Sequence, residues 1–152
     1  MRVLDIEKLF KTEKTLLEVL DKCEVDFNKI DYWSEWRKQN LTDNPEEITK
    51  ALNELSGCYG DLLTILAIAE TELVNREARQ YNTLKIEWVN EGKSFTTQIN
   101  SSIKKQASVS VADYRRIYNI IKAYVGTADK HIITLQSILN RWTKGYNHPQ
   151  GS

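Results

Sequence analysis

Few residues in this chain break a helix: of 152 only two are proline and six are glycine. Proline removes a backbone donor and glycine adds unfolded-state entropy, so their scarcity leaves long stretches open to helix. The two cysteines, Cys23 and Cys58, stand alone on apolar-leaning faces, which favours buried reduced thiols over a disulfide. The two histidines, His131 and His148, have no second His or Cys at ligand spacing, which argues against a zinc site. The longest strongly apolar run, Leu62 to Ala69, has eight residues and falls far short of the roughly 20 that span a bilayer. The opening Met1-Arg2-Val3-Leu4-Asp5 places charges where a signal peptide needs its apolar core. The expectation is a protein of the cytoplasm (the host cell's, if viral) without a membrane anchor, metal or cofactor.

Net charge is also missing, yet charge is not. Lys plus Arg and Asp plus Glu both number 21. Residues 1–75 carry 16 acids against 9 bases, and residues 76–152 carry 5 against 12. Between Glu91 and Asp113 lie 21 residues with Lys93, Lys104 and Lys105 and no acid. A basic half suggests a polyanion or an acidic partner; acidic helices packed beside basic ones, within or between subunits, are the alternative.

With 41% hydrophobic and 28% charged residues, the composition is that of a folded chain. Two segments hold a heptad-like alternation of three and four. One runs Ile48, Leu52, Leu55, Tyr59, Leu62, Leu66, Ala69, Leu73. The other runs Val111, Tyr114, Tyr118, Ile121, Val125, Ala128, Ile132, Leu135, Leu139, Trp142. Each puts an apolar seam along one side of a helix that a second helix must cover. Ile6, Leu9, Phe10, Leu16, Leu17, Leu20, Cys23, Phe27 and Ile30 recur every three or four positions and predict a helix before them. Asn44-Pro45-Glu46-Glu47 offers a helix start; Gly92 and Gly145 offer stops, and Ser108 or Ser110 can cap the last helix. Gly57 and Gly60 interrupt the first seam and suggest a kink or a close helix approach.

The fold expected is all-α, three to four long helices with a central helical hairpin, assembled as a helical homo-oligomer. One domain spans residues 1–147: an N-terminal helix over 1–40, a long helix over 45–91, a polar basic arm over 93–110 and a last helix over 111–144. Residues 148–152 are a tail. The arm is rich in Ser, Thr, Asn and Gln, anchored only by Phe95, Ile99, Ile103 and Ala107; the last three fit one face of a short, weak helix, and the whole reads as a mobile arm or loop.

Catalysis finds little support. Gly92-Lys93-Ser94 looks like the end of a phosphate-binding loop, but Glu87 stands where its first glycine belongs and no apolar strand precedes it. Glu46-Glu47 and Glu70/Glu72 are explained as caps or solvated faces, and His131 as a surface or partly packed side chain. Nucleic-acid binding fits better, because Lys and Arg meet phosphates while aromatic rings stack on unpaired bases. The second half supplies Arg76, Arg79, Lys85, Lys93, Lys104, Lys105, Arg115 and Arg116, with Trp88 and Phe95 as stacking candidates. Tyr114 and Tyr118 lie on the seam and read as core. Tyr32, Trp33 and Trp36 cannot all share one helical face, so a subunit contact is expected to cover part of that cluster.

The order of features also matches a known pattern. The chain opens MRVLDIEKLF, its first helix ends in DYWSEWRKQN, and its long helix closes on ARQYNTLKIEW ahead of the polar arm. In this it resembles the UvsY family of phage recombination mediators, which open Met-Arg-Leu with an acidic amphipathic helix. That helix ends in an aromatic-Ser-x-Trp stretch followed by basic residues, matched here by Trp33, Ser34, Trp36, Arg37 and Lys38. The family's last helix has an aromatic start, a small-residue middle and a Lys/Gln-Ser near its end, here Val125-Gly126-Thr127-Ala128 and Gln136-Ser137. The resemblance implies a small helical protein that forms ring-like homo-oligomers and binds single-stranded DNA. It further implies a role in loading a RecA-like recombinase onto strands covered by single-strand binding protein. The family's basic segment maps onto Arg76, Arg79, Tyr81 and Lys85, though with fewer bases and without a glycine-basic-glycine turn.

Overall fold

The structure, a computed structural model, describes Asp5, Lys8, residues 16–39 and residues 43–147. Four helices fill most of them: α1 (Leu16–Lys38), α2 (Pro45–Asn90), α3 (Thr97–Ser110) and α4 (Ala112–Asn147). Among the described residues there is no strand, so the chain is all-α. Ile6, Leu9, Phe10 and the tail 148–152 lie outside the described residues.

Each helix begins where its chemistry allows. Asn44 Oδ1 accepts from the backbone N–H of Glu46 at 3.0 Å and of Glu47 at 3.5 Å, and Pro45 takes the first turn, where a missing donor costs nothing. At the far end Gly92 adopts φ +73, the left-handed conformation that a side chain disfavours, and its N–H bonds Val89 O at 3.0 Å. Gly145 is no such terminator: α4 runs through it to Asn147. Ser110 does not cap α4 either, since its hydroxyl donates back to Ala107 O at 2.6 Å.

The segment expected to be a loose arm is a helix from Thr97 onward. Thr96, extended at φ −101 and ψ 168, caps it by accepting from Ile99 N at 3.2 Å. Ile103 and Ala107 are buried, and Val111 just beyond them is buried too. Three apolar contacts at helical spacing outweigh the weak propensity of the serines and asparagines around them.

The seams carry the core with one adjustment. In α2, Ile48, Leu55, Leu62 and Ala69 are buried as expected. The positions between them that bury best are Ala51, Cys58 and Ile65, one residue ahead of Leu52, Tyr59 and Leu66, which are half-buried. The buried face is therefore wider than a two-helix seam, as a helix covered by two neighbours requires. In α1 the register also differs: Leu17 is 75% exposed while Val19 is fully buried. Gly57 and Gly60 have open space where a Cβ would stand, so neither marks a close helix approach.

By its contacts the chain divides into two compact units, each built from separate segments. Unit 1 holds Met1–Leu20 and Ile65–Ile120; in it α3 lies against the end of α2 and the start of α4. Unit 2 holds Asp21–Thr64 and Ile121–Ser152; in it α1, the start of α2 and most of α4 pack together. Within unit 2, Phe27 stacks on Tyr124 at 4.0 Å between centroids, and Tyr124 donates to Asp31 Oδ2 at 3.0 Å.

Candidate nucleic-acid interface

All ten residues expected to meet nucleic acid fall in unit 1, but they do not act alike. Two are occupied inside the fold. Arg76 bonds Glu72 at 3.1 Å, lies 3.9 Å above the Tyr114 ring and is largely covered. Arg115 bridges α4 to α2 through Glu77 at 3.2 Å and also donates to Ser108 Oγ at 2.8 Å. Both guanidiniums hold the unit together. A half-buried cation beside a carboxylate already has its counter-charge, so neither is an open site for an outside anion in the protomer.

Arg79, Lys85, Lys104, Lys105 and Arg116 are exposed, and none pairs with a carboxylate among the described residues. Lys104 and Lys105 sit on α3, whose whole sequence TQINSSIKKQASVS carries no acid. Lys104 also borders a shallow cleft of about 350 Å³ with Tyr81 and Glu77, where the Tyr81 hydroxyl donates to Asn100 Oδ1 at 2.7 Å.

Around the α2–α3 turn, each aromatic candidate carries an ammonium group. Lys85 Nζ stands 4.9 Å from the Phe95 ring centre, and Lys93 Nζ 4.5 Å from that of Trp88. Such pairs present the two groups a nucleotide needs, a ring for the base and a cation for the phosphate. They are not equivalent. Lys93 already pairs with Glu91 at 2.6 Å, and Glu87 and Glu91 line the same groove as Trp88. Trp88 is half-buried with its indole N–H tied to Ser94 O at 3.1 Å. Among the described residues no carboxylate pairs with Lys85, which leaves room for an outside anion there and along α3.

The aromatic cluster of α1 is largely internal. Trp33 is 1% and Trp36 8% exposed, packed edge to face at 5.2 Å, and Trp33 Nε1 donates to Glu54 Oε2 at 2.7 Å. The chain's own helices cover both indoles, which removes them as free subunit contacts in the protomer. Tyr32, 60% exposed, is the remaining ring.

One cluster escaped sequence reasoning. His131 on α4 meets Ser34 and Arg37 on α1: Nε2 is 2.8 Å from Ser34 Oγ, and Nδ1 is 2.8 Å from Arg37 Nη1. A guanidinium only donates, so Nδ1 accepts and Nε2 carries the hydrogen; Ser34 in turn donates to Ile30 O at 2.8 Å. Burial, then the charges of Arg37 and Lys38, hold the His131 pKa below its ordinary value. This differs from a nucleophilic pair, in which the hydroxyl donates to the imidazole and a carboxylate steadies the other nitrogen. More than 90 residues separate the partners, so no local pattern announces them.

Cys23 and Cys58 are buried and free, and burial pushes both thiols up to about 12. Thiols so shifted stay protonated and inert. Asp26, beside Cys58, is raised chiefly by burial. Among the described residues, no group of three or more His, Cys, Asp or Glu is placed to hold a metal ion, and no helix is long and apolar enough to cross a membrane. No protein-family model matches the chain, and neither a curated protein nor a solved structure matches it.

Proposed function

We propose that this chain is a non-catalytic, single-stranded-DNA-binding recombination mediator that helps load a RecA-like recombinase onto strands held by single-strand binding protein. It would work in the cytoplasm as a homo-oligomer whose protomers carry a central helical hairpin. The observation that carries the binding half is the set of Lys85 beside Phe95 together with Lys104 and Lys105 on an acid-free helix, all without carboxylate partners among the described residues. An exposed ring with an ammonium beside it suits an unpaired nucleotide, and the α3 lysines suit the adjoining phosphates. The recombination half rests on the resemblance to UvsY-type mediators.

A fluorescent single-stranded oligonucleotide titrated at two salt concentrations tests the proposal. Log affinity falls with log salt at about −0.7 per phosphate neutralised. Lys104→Glu with Lys105→Glu weakens binding and makes that slope shallower by roughly 1.4, two contacts' worth. Absent or salt-insensitive binding by the wild-type chain rejects the reading.

A structural or adaptor protein of a phage or virion is the second reading. Large apolar side chains left exposed on α2 favour it, namely Val74, Ile86 and Val89, which suit self-association. If acidic and basic faces of neighbouring copies join as well, the double lysine reversal disrupts assembly with no nucleic acid present.

A further inference from the structure

Arg37 is a half-buried cation without an anion. Its guanidinium spends one N–H on the neutral Nδ1 of His131, and among the described residues no carboxylate lies within 4 Å of it. The nearest acid in sequence that pairs at all, Glu35, pairs with Lys38 at 3.6 Å. A guanidinium that meets only a neutral acceptor keeps its charge unpaired within the fold, and its other donors stay open to a ligand.

Beside it lies a cavity of about 400 Å³, lined by Arg37, Thr127, Lys130, His131, Ile133 and Thr134. No acid lines it. That is not an overflow of positive charge, since the segments of unit 2 hold 11 acids against 9 bases. Lys130 is exposed on α4, so its ammonium can reach the cavity from the helix opposite Arg37. Thr127 and Thr134, seven residues apart on one face of α4, donate to Ala123 O and Lys130 O at 3.0 and 2.9 Å, and a rotation of either hydroxyl frees a donor.

From this geometry we propose that the cavity between α1 and α4 in unit 2 binds a phosphate group, held by the Arg37 fork on one side and Lys130 on the other. A tetrahedral oxyanion offers oxygens in both directions, and the guanidinium fork matches two of them bidentately. When the anion arrives, Arg37 turns toward it and His131 Nδ1 loses its donor. The site is separate from Lys85, Phe95, Lys104 and Lys105, which belong to unit 1. The phosphate is either free or carried on a DNA 5′ end.

Titration of the full chain with inorganic phosphate in a chloride buffer tests it, read by calorimetry and by the imidazole resonances of His131. The expected result is saturable binding that shifts the His131 signals. Lys130→Ala, an exposed helix position, weakens it at least fivefold, and Arg37→Gln at least tenfold, with helicity by circular dichroism unchanged. Lys104→Glu with Lys105→Glu, which tests the oligonucleotide surface, leaves phosphate affinity unaltered. Displacement by a 5′-phosphorylated oligonucleotide, but not by its unphosphorylated twin, assigns the phosphate to a DNA end; displacement by neither assigns it to a small molecule. Unsaturable uptake, equal affinity in Lys130→Ala and wild type, or loss with the α3 lysines instead overturns the proposal.

Discussion

Trp33 shows how far a side chain's burial can depart from its neighbours'. Its ring is enclosed and its indole N–H is satisfied by Glu54, whereas Tyr32 next to it points outward. Trp33→Ala therefore costs about 3–5 kcal/mol in urea unfolding, by lost burial and a cavity. Tyr32→Ala leaves protomer stability within about 0.5 kcal/mol and lowers the oligomer mass if this ring lies at a subunit contact. His131 gives a pH dependence with a definite sign. Its folded pKa lies below the ordinary 6.5, so between the two values the unfolded chain binds more protons. The contribution is fully present above pH 6.5 and is lost as pH falls through the folded value. Urea midpoints measured from pH 7.5 downward show the loss. His131→Gln, whose amide keeps an acceptor toward Arg37 and a donor toward Ser34 without titrating, flattens it.

For the helices, legibility followed the strength of the apolar pattern. α2 and α4 were readable because ten or so apolar positions repeat at helical spacing, and Asn44-Pro45 marks the start of α2. α3 is faint in the sequence because only Ile99, Ile103 and Ala107 stand among nine polar residues over 97–108, and serine and asparagine favour non-helical alternatives. Its cap matters for that reason: Thr96→Ala removes the bond to Ile99 N and costs about 1 kcal/mol, measured by denaturation or by faster amide exchange in α3. Glycine in α2 has the opposite potential. Because nothing lies within 4 Å of a Cβ at Gly57 or Gly60, alanine at each raises stability by about 0.5–1 kcal/mol, seen as a higher urea midpoint.

Across the whole molecule, charge is redistributed by the fold. The halves differ sharply in sequence, but the units do not: residues 65–120 of unit 1 hold 6 acids against 8 bases, and unit 2 holds 11 against 9. Each unit mixes segments from both halves, so opposite charge is shared within units instead of being left for neighbouring subunits. Self-association driven by exposed apolar side chains then predicts an oligomer mass that stays constant between 0.1 and 1 M salt. Over that range the screening length shortens from about 10 Å to about 3 Å, and an assembly held by acidic and basic faces would dissociate. Light scattering after size exclusion distinguishes the two. Only five of the eight candidate phosphate-binding cations are exposed and without carboxylate partners among the described residues, a division invisible in a list of lysines and arginines.

Sequence alone determined the helical class, the two long apolar seams and the position of the acid-free lysine segment, because each is a property of residues within a few turns of one another. Tertiary structure decided which cations are spent and which are free, that Trp33 and Trp36 face inward, and that Arg37 meets His131. Those outcomes depend on which helix covers which face, and pairings across 38 to 97 residues leave no periodic trace in the chain.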